Sequence, residues 1–464
     1  MTLAGRGCTI VGGCFHAMNR RNFIKNTVLA GATLSAMPYI KADTPAKKYK
    51  TALVGTGWWG MNILGEAMAS GQSKVVGLCD VDQRFLNAAA EKVKTLTGDT
   101  PKTYGDYREL LEKEKPEIVI VATPDHWHSL VFIEAVKHGA HVYVEKPISH
   151  TLLEGAAMVK AARAANRVAV SGTHRRVSPH NISAREFIRS GKLGKIGMVK
   201  AFVNYGGGPE RPLKNVEPPK ELNWDMWCGP APLRPFAGDI NNPWGGGPHP
   251  RGFRSYLDFA NGQLGDWGIH WIDQIQWILN LKQPKRVFSM GGRSVRGPVI
   301  LTETEQTTDA PDHQIATFEY EEGVNVYWEH RQFAGNNQCK GEEVGCYFYG
   351  TEGVFHLGWI GGWVFYPVNR SEPTRMASQL HKPDEQNIKE NWADFLSCIE
   401  SGKKPASDIE DIYNATASCL LGMISLKLGR SLNWDAQKLS FANDLEADSL
   451  LKRRYRGPWE YPTL

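Results

Sequence analysis

The chain has no paired-cysteine spacing. Its eight cysteines are scattered and no C-x-x-C occurs, so spacing gives no support for a metal site. Cys339 and Cys346 either join in an oxidising compartment or stay as separate buried thiols. No internal repeat and no low-complexity run occurs, which sets aside repeat arrays and compositionally disordered tracts. No apolar run is long enough for a membrane span. The most apolar stretch, Thr27 to Ile40, is short and rich in small residues, so no stable membrane anchor is expected. Charge of one sign is missing as well. Five basic residues and no acidic one lie in residues 1–42; removing them from the 54 basic residues leaves 49, equal to the 49 acidic ones. A nucleic-acid binder needs a basic surface, and residues 43–464 have none overall. The local patch Lys452-Arg453-Arg454-Tyr-Arg456 reads as solvated or ion-paired.

The basic N-terminus has its own explanation. Met18-Asn-Arg20-Arg21-Asn-Phe-Ile-Lys25 is a twin-arginine pattern, followed by the short apolar stretch that ends near Ala42. Such signals are addresses read by an export receptor. The twin-arginine export machinery is therefore an expected partner and the periplasm the expected location, with Met18 as the expected start. That route carries folded proteins, which suits an enzyme that takes its nucleotide on board before export.

Removing the first 42 of 464 residues leaves 422, enough for two domains. Over 43–172, apolar runs at Thr51–Val54, Val75–Cys79, Ile118–Ala122, His141–Val144 and Val168–Ser171 alternate with helical patterns. That rhythm predicts βαβ units in a doubly wound parallel sheet, with ligands at the strands' carboxyl ends. Over 173–440 the pattern changes. A segment at 206–256 holds 9 Gly and 10 Pro in 51 positions, yet its tryptophans argue against disorder. A helix near Gln263–Leu279, six successive strand candidates and two amphipathic helices, Ile388–Ser401 and Ile409–Leu428, follow. The expected class is α/β: a Rossmann domain, then an α+β domain with a large, open, mostly antiparallel sheet, and a tail at 441–464.

Three short pieces of the first domain fit one another. Gly55-Thr56-Gly57-Trp58-Trp59-Gly60 lies between a strand and a helix, where glycines admit a pyrophosphate to the backbone and the helix start supplies amide donors. Asp80 ends the next strand, where a carboxylate hydrogen-bonds the adenosine ribose. It favours NAD over NADP by repelling a 2′-phosphate. Arg84 either stacks on the adenine or is a solvated helix residue; Asp82 suits the helix cap. Thr123 and Pro124 end one later strand, Glu145 and Lys146 another. His126 and His128 are expected to pack or to bond backbone.

The chemistry is expected where the second domain faces the cofactor. Gly265-Asp266-x3-His270-x2-Asp273 places Asp266 and His270 four residues apart, on one helix face. An imidazole suits proton transfer near neutral pH, and a neighbouring carboxylate would orient it and raise its pKa. Lys146 would hold the reacting hydroxyl. A purely structural Asp–His pair fits the same spacing. One of Trp224, Trp227 and Trp244, with Trp244 preferred, is expected to offer a flat face to a sugar ring.

Residues 48–440 resemble the Gfo/Idh/MocA family of sugar and inositol oxidoreductases. The resemblance rests on the glycine turn, Thr123-Pro-Asp-His-Trp-His128, Glu145-Lys146-Pro147, Gly172-Thr-His-Arg175-Arg176 and the Asp266/His270 motif. It implies that Lys146 contacts nicotinamide and substrate, that Asp266 and His270 are substrate and acid/base residues, and that Arg175 lies near the active site. It implies a homo-oligomer, dimer or tetramer, built on the large sheet. It also implies an NAD-dependent enzyme acting on CH–OH groups of carbohydrates, with an NAD-dependent glycosidase or lyase as the alternative and a non-catalytic sugar-binding protein as a third reading. Two features depart from the pattern. Glucose-fructose oxidoreductase carries tyrosine where this chain has His270, and the Trp58-Trp59 pair is bulkier than usual.

Overall fold

The computed structural model describes residues 47–463 apart from 240, 246, 336–341 and 382–385; the segment expected to be an export signal and Cys339 lie outside the described residues. The apolar runs of the first domain become strands β1 (Tyr49–Val54), β2 (Ser73–Cys79), β3 (Lys102–Tyr104), β4 (Ile118–Val121), β5 (His141–Val144) and β6 (Ala169–Ser171). They pair in parallel in the order β3-β2-β1-β4-β5-β6. The order reverses between β1 and β4, which opens a crevice at their carboxyl ends. The crossover helices are α1 (Trp58–Ala69), α2 (Gln83–Thr97), α3 (Tyr107–Glu114), α4 (His128–Lys137) and α5 (Leu152–Ala164). Periodicity missed β3 and α3. β3 is three residues long with no buried side chain, and α3 buries only Tyr107, Leu110 and Leu111, so neither leaves a readable apolar run.

The second domain begins with α6 (Pro179–Arg189), β7 (Ile196–Asn204), β8 (Leu213–Lys214) and α7 (Trp224–Cys228). Its main helix starts as a π turn over Leu264–Gly268 and continues as α8 (Ile269–Leu279). Then come β9 (Arg286–Gly292), β10 (Glu305–Gln306), β11 (His313–Glu319), β12 (Asn325–Arg331), β13 (Val344–Gly350), β14 (Gly353–Gly358), β15 (Trp363–Pro367) and β16 (Thr374–Met376). Helices α9 (Ile388–Ser401) and α10 (Ile409–Leu428), strands β17 (Leu432–Asp435) and β18 (Ser440–Phe441), and α11 (Leu445–Ser449) complete the described chain. Ten strands form one sheet in the order β16-β15-β14-β13-β7-β12-β11-β9-β17-β18. All its pairs are antiparallel except β7–β12, whose strands are joined by the long crossover that a parallel pair requires.

The described residues of the proline- and glycine-rich segment pack through its aromatics. Trp224 stacks on Trp227 at 4.6 Å between centroids, and both pack with Phe236, Phe253, Tyr256 and Phe259 in a separate apolar cluster. Two of the four basic side chains in the patch near the C-terminus are ion-paired, and Lys452 and Arg454 are exposed. Arg453 donates to the buried carboxylate of Glu154 at 3.1 Å, and Arg456 to Asp225 at 2.6 Å. Glu154 also accepts from the backbone N–H groups of His150 and Thr151, so it caps α5 and anchors the tail at once.

Helix α8 is buried nearly all round and carries polar side chains into the core. Asp273, fully buried, accepts from Arg176 at 2.7 Å, and Arg176 also reaches the Ala406 carbonyl. Removing one member of such a pair strands a buried charge. Asp273→Ala is therefore expected to cost about 3–5 kcal/mol of unfolding free energy in urea titrations. Pairing it with Arg176→Met should recover much of that loss.

Candidate active site

One cavity of about 690 Å³ runs from the glycine turn to the π turn of the second domain. Gly55, Gly57, Trp58, Trp59, Gly60, Asp80, Thr123, Pro124, His128, Glu145 and Lys146 line one side; Trp244, Asp266 and His270 line the other. The sequence motifs thus converge on one space.

The nucleotide end fits a dinucleotide on three observations. Gly55 has φ +94°, and a Cβ there would lie 2.5 Å from the Ala122 carbonyl oxygen, so the fold itself requires this glycine. Gly57 is different. Its φ of −65° suits any residue, and a Cβ would meet no protein atom within 4 Å. No protein neighbour accounts for Gly57; a ligand against the backbone does. Helix α1 then starts with no side-chain cap and no acid in its first turn, which leaves amide donors for an anion. Asp80 Oδ2 accepts from the Thr56 N–H at 2.7 Å and the Thr56 hydroxyl at 3.0 Å, while Oδ1 accepts from the Asp82 N–H at 2.9 Å. A carboxylate has roughly four acceptor positions, so one remains for a ribose hydroxyl.

Arg84 does not take the adenine-facing place considered for it. Its guanidinium is held by Asp82 at 2.6 and 2.9 Å and does not line the cavity, because Asp82 caps α2 two residues away and captures it. His128 hydrogen-bonds the carbonyls of Thr123 and Pro147 and His126 that of Trp227, so backbone partners hold both rings.

At the other end, Lys146 Nζ donates to Asp266 Oδ1 at 2.7 Å and to the Asp266 carbonyl at 3.1 Å. Arg254 Nε donates to the same Oδ1 at 3.1 Å. The expected Asp266–His270 partnership is therefore corrected. The π turn widens the helix at Asp266, and two cations draw its carboxylate away from the imidazole. The expected upward shift of His270 reverses too. Burial, then the charges of Lys146, His174 and Arg175, hold it well below the usual histidine range. It is neutral at pH 7, and its Nδ1 is buried with no hydrogen-bond partner. Its ring lies 4.9 Å from Trp359 and 6.1 Å from His174.

Arg175 lies beside the site, as the resemblance implies, but outside the cavity lining. It is buried behind the cavity wall, stacked 3.8 Å from the Trp359 ring, while its neighbour His174 faces the cavity and bonds Gln386. Trp244 and Trp227 both line the cavity and Trp224 does not; Trp244 sits edge-on to Trp58 at 6.2 Å. Residues that sequence reasoning left unassigned are Asp125, His174, Arg254 and Trp359. The first two stood inside quoted motifs, whereas Arg254 and Trp359 lie in irregular segments with no spacing to flag them. Asp125 is buried; desolvation raises its pKa to about 8, against the opposing charge of Arg254. Burial likewise brings Glu145 up to about 7, with Lys146 opposing.

Comparison with known proteins agrees with this geometry. A family model described as the NAD-binding Rossmann fold of an oxidoreductase family matches residues 49–173, and one for that family's C-terminal alpha/beta domain matches 197–461. A glycosyl hydrolase family 109 protein of Stenotrophomonas maltophilia is 28% identical over 207 residues, 43% of this chain and 44% of that protein. One from Akkermansia muciniphila is 31% identical over 111 residues, 23% of each. The matched stretches span less than half the length of these curated relatives. Among solved structures, levoglucosan dehydrogenase with NADH and levoglucosan gives a TM-score of 0.63 at 17% identity, covering 83% of this chain and 99% of that one. The aldose-aldose oxidoreductase of Caulobacter crescentus with glycerol gives 0.60 at 18%, covering 84% and 100%. At these identities the likeness is one of fold.

Two measurements probe the site. Gly57→Val should leave the melting temperature of the nucleotide-free protein unchanged yet abolish NADH binding in a calorimetric titration, because the new side chain enters only the ligand's space. The second concerns Asp125. The unfolded chain releases this proton in the ordinary carboxylate range, while the folded chain keeps it up to about pH 8. Between those values the folded state binds more protons, so stability falls as pH rises. Urea midpoints of Asp125→Asn should therefore decline less between pH 5 and pH 8 than those of the unaltered chain.

Proposed function

This chain belongs to the Gfo/Idh/MocA oxidoreductase family, and from that premise we propose that it moves hydride between a sugar or glycoside hydroxyl and NAD. The observation that carries this reading is the meeting of Lys146, Asp266 and His270 in the cavity that also holds the glycine turn and Asp80. NAD, bound at that turn, supplies the two-electron acceptor or donor. The side chains of this protein do the rest. The neutral His270 imidazole accepts the proton of the hydroxyl being oxidised, and returns it in the reverse direction. Lys146 places a positive charge beside the oxygen where negative charge develops. Asp266 fixes the Lys146 ammonium with two contacts and shares its charge with Arg254. Trp359 supplies an aromatic wall beside His270 suited to the C–H face of a sugar ring.

A second reading has a specific support, the family 109 relatives. In it, transient oxidation of one sugar carbon acidifies the neighbouring C–H, a base takes that proton as the leaving group departs by elimination, water adds across the resulting double bond, and the hydride returns to the carbonyl. The protein is proposed to work in the periplasm after twin-arginine export, with its nucleotide bound between turnovers. It is further proposed to assemble as a dimer or tetramer through the ten-stranded sheet.

A panel of sugars and glycosides added to the NAD-loaded full chain separates the readings. Net growth of reduced-nicotinamide absorbance supports the dehydrogenase, and bond cleavage without it supports the glycosidase. Nucleotide binding without any turnover would leave a sugar-binding protein. For the base, His270→Gln should slow single-turnover hydride transfer by about 10²–10⁴-fold. Because its pKa is depressed, the acid limb of the unaltered enzyme should lie well below pH 6.5, and the variant should lack that limb. An unchanged limb in His270→Gln would overturn the assignment.

A further inference from the structure

We propose that Arg251, carried by the second domain, clamps the pyrophosphate of the dinucleotide from the side opposite the glycine turn. The inference rests on the dinucleotide reading above and adds a residue that no sequence motif contains.

Arg251 lines the same cavity as Gly55, Gly57 and Gly60. Its guanidinium lies 4.4 Å from the ring of Trp58, the first residue of α1, and 5.2 Å from the ring of Trp244. The cation therefore stands beside the uncapped helix start where Gly57 leaves open space. Trp58 and Trp244 hold it through their faces, which leaves its in-plane N–H donors unused by the stack. Lys146 and Arg254, the neighbouring cavity cations, are both bonded to Asp266, but Arg251 makes no ion pair among the described residues. A planar guanidinium with free donors at a pyrophosphate-sized opening matches bidentate phosphate recognition.

The backbone that presents Arg251 is built for position. Its N–H donates to the Pro243 carbonyl at 3.1 Å, and its own carbonyl accepts from Arg254 at 3.1 Å. A Cβ on Gly252 would lie 2.1 Å from the Gly247 carbonyl oxygen, so the loop closes on itself. Two further contacts tie this strap across the cleft. His249 meets Asp82 Oδ2 at 2.9 Å at the ribose end, and Arg254 meets Asp266 at the catalytic end. A nucleotide in the cavity would lie beneath a strap pinned on both sides, with Arg251 at its middle. Such an arrangement retains the cofactor through turnover.

The test uses the full chain stripped of nucleotide, as unaltered protein, Arg251→Met and Arg251→Lys. NADH, ADP and adenosine are titrated calorimetrically, and loss of bound NADH on dilution is timed. Arg251→Met should weaken NADH and ADP at least tenfold at low salt, leave adenosine unchanged and speed NADH loss. Arg251→Lys should keep part of the affinity, as a point charge replaces a fork. Unchanged ADP affinity in Arg251→Met would overturn the clamp. So would an equal loss for ADP and adenosine, which would mean that the strap had merely been disturbed. Unaltered protein that binds none of the three would remove the dinucleotide reading itself.

Discussion

The contact between Lys146 and Asp266 is the constraint on which the site depends. Lys146 follows β5 at the carboxyl end of the parallel sheet; Asp266 lies in the π turn that opens the main helix of the second domain. Their 2.7 Å hydrogen bond joins the two halves of the cavity. It fixes the ammonium against the place where a hydroxyl would react. It also keeps the Asp266 carboxylate ionised, since the Lys146 and Arg254 charges outweigh burial. The same ammonium then helps depress the pKa of His270. One pair therefore bears on the protonation of both Asp266 and His270.

The carboxyl groups of this cavity divide between one held ionised and two pushed up towards neutral pH. Asp266 is held low by its cations, whereas burial takes Asp125 to about 8 and Glu145 to about 7. Separation of pKa values among neighbouring carboxyl groups is the usual way one site hosts both acid and base at neutral pH. In the proposed reaction, a neutral His270 beside a fixed cation would serve as the base for an incoming hydroxyl. An imidazolium in the same place would repel Lys146 and could not accept the proton.

Legibility varied with the range of the determinant. The parallel sheet was readable because each strand is a short apolar run ended by turn residues, and β3 escaped because it buries nothing. The glycine turn and Asp80 were readable because their spacing is local. The Lys146, Asp266 and His270 constellation was recognisable from motifs, but its internal pairing was not. An i, i+4 spacing implies a shared face only on a regular α-helix, and Asp266 lies in a π turn. Arg175 was named where His174 faces the cavity, a one-residue difference that only the local backbone resolves.

What the sequence by itself determined is therefore the domain order, the nucleotide turn and the set of side chains available for chemistry. Each follows from periodicity and spacing over a few residues. Tertiary structure alone decided which partner each group took. Asp266 chose two cations over His270 because Arg254 arrives from a loop with no periodicity. Arg84 turned to Asp82, and Arg251 came to lie over Trp58 because the 206–256 segment folds on its own aromatic cluster before crossing the cleft. Those choices depend on distances between residues far apart in the chain, which no local pattern encodes.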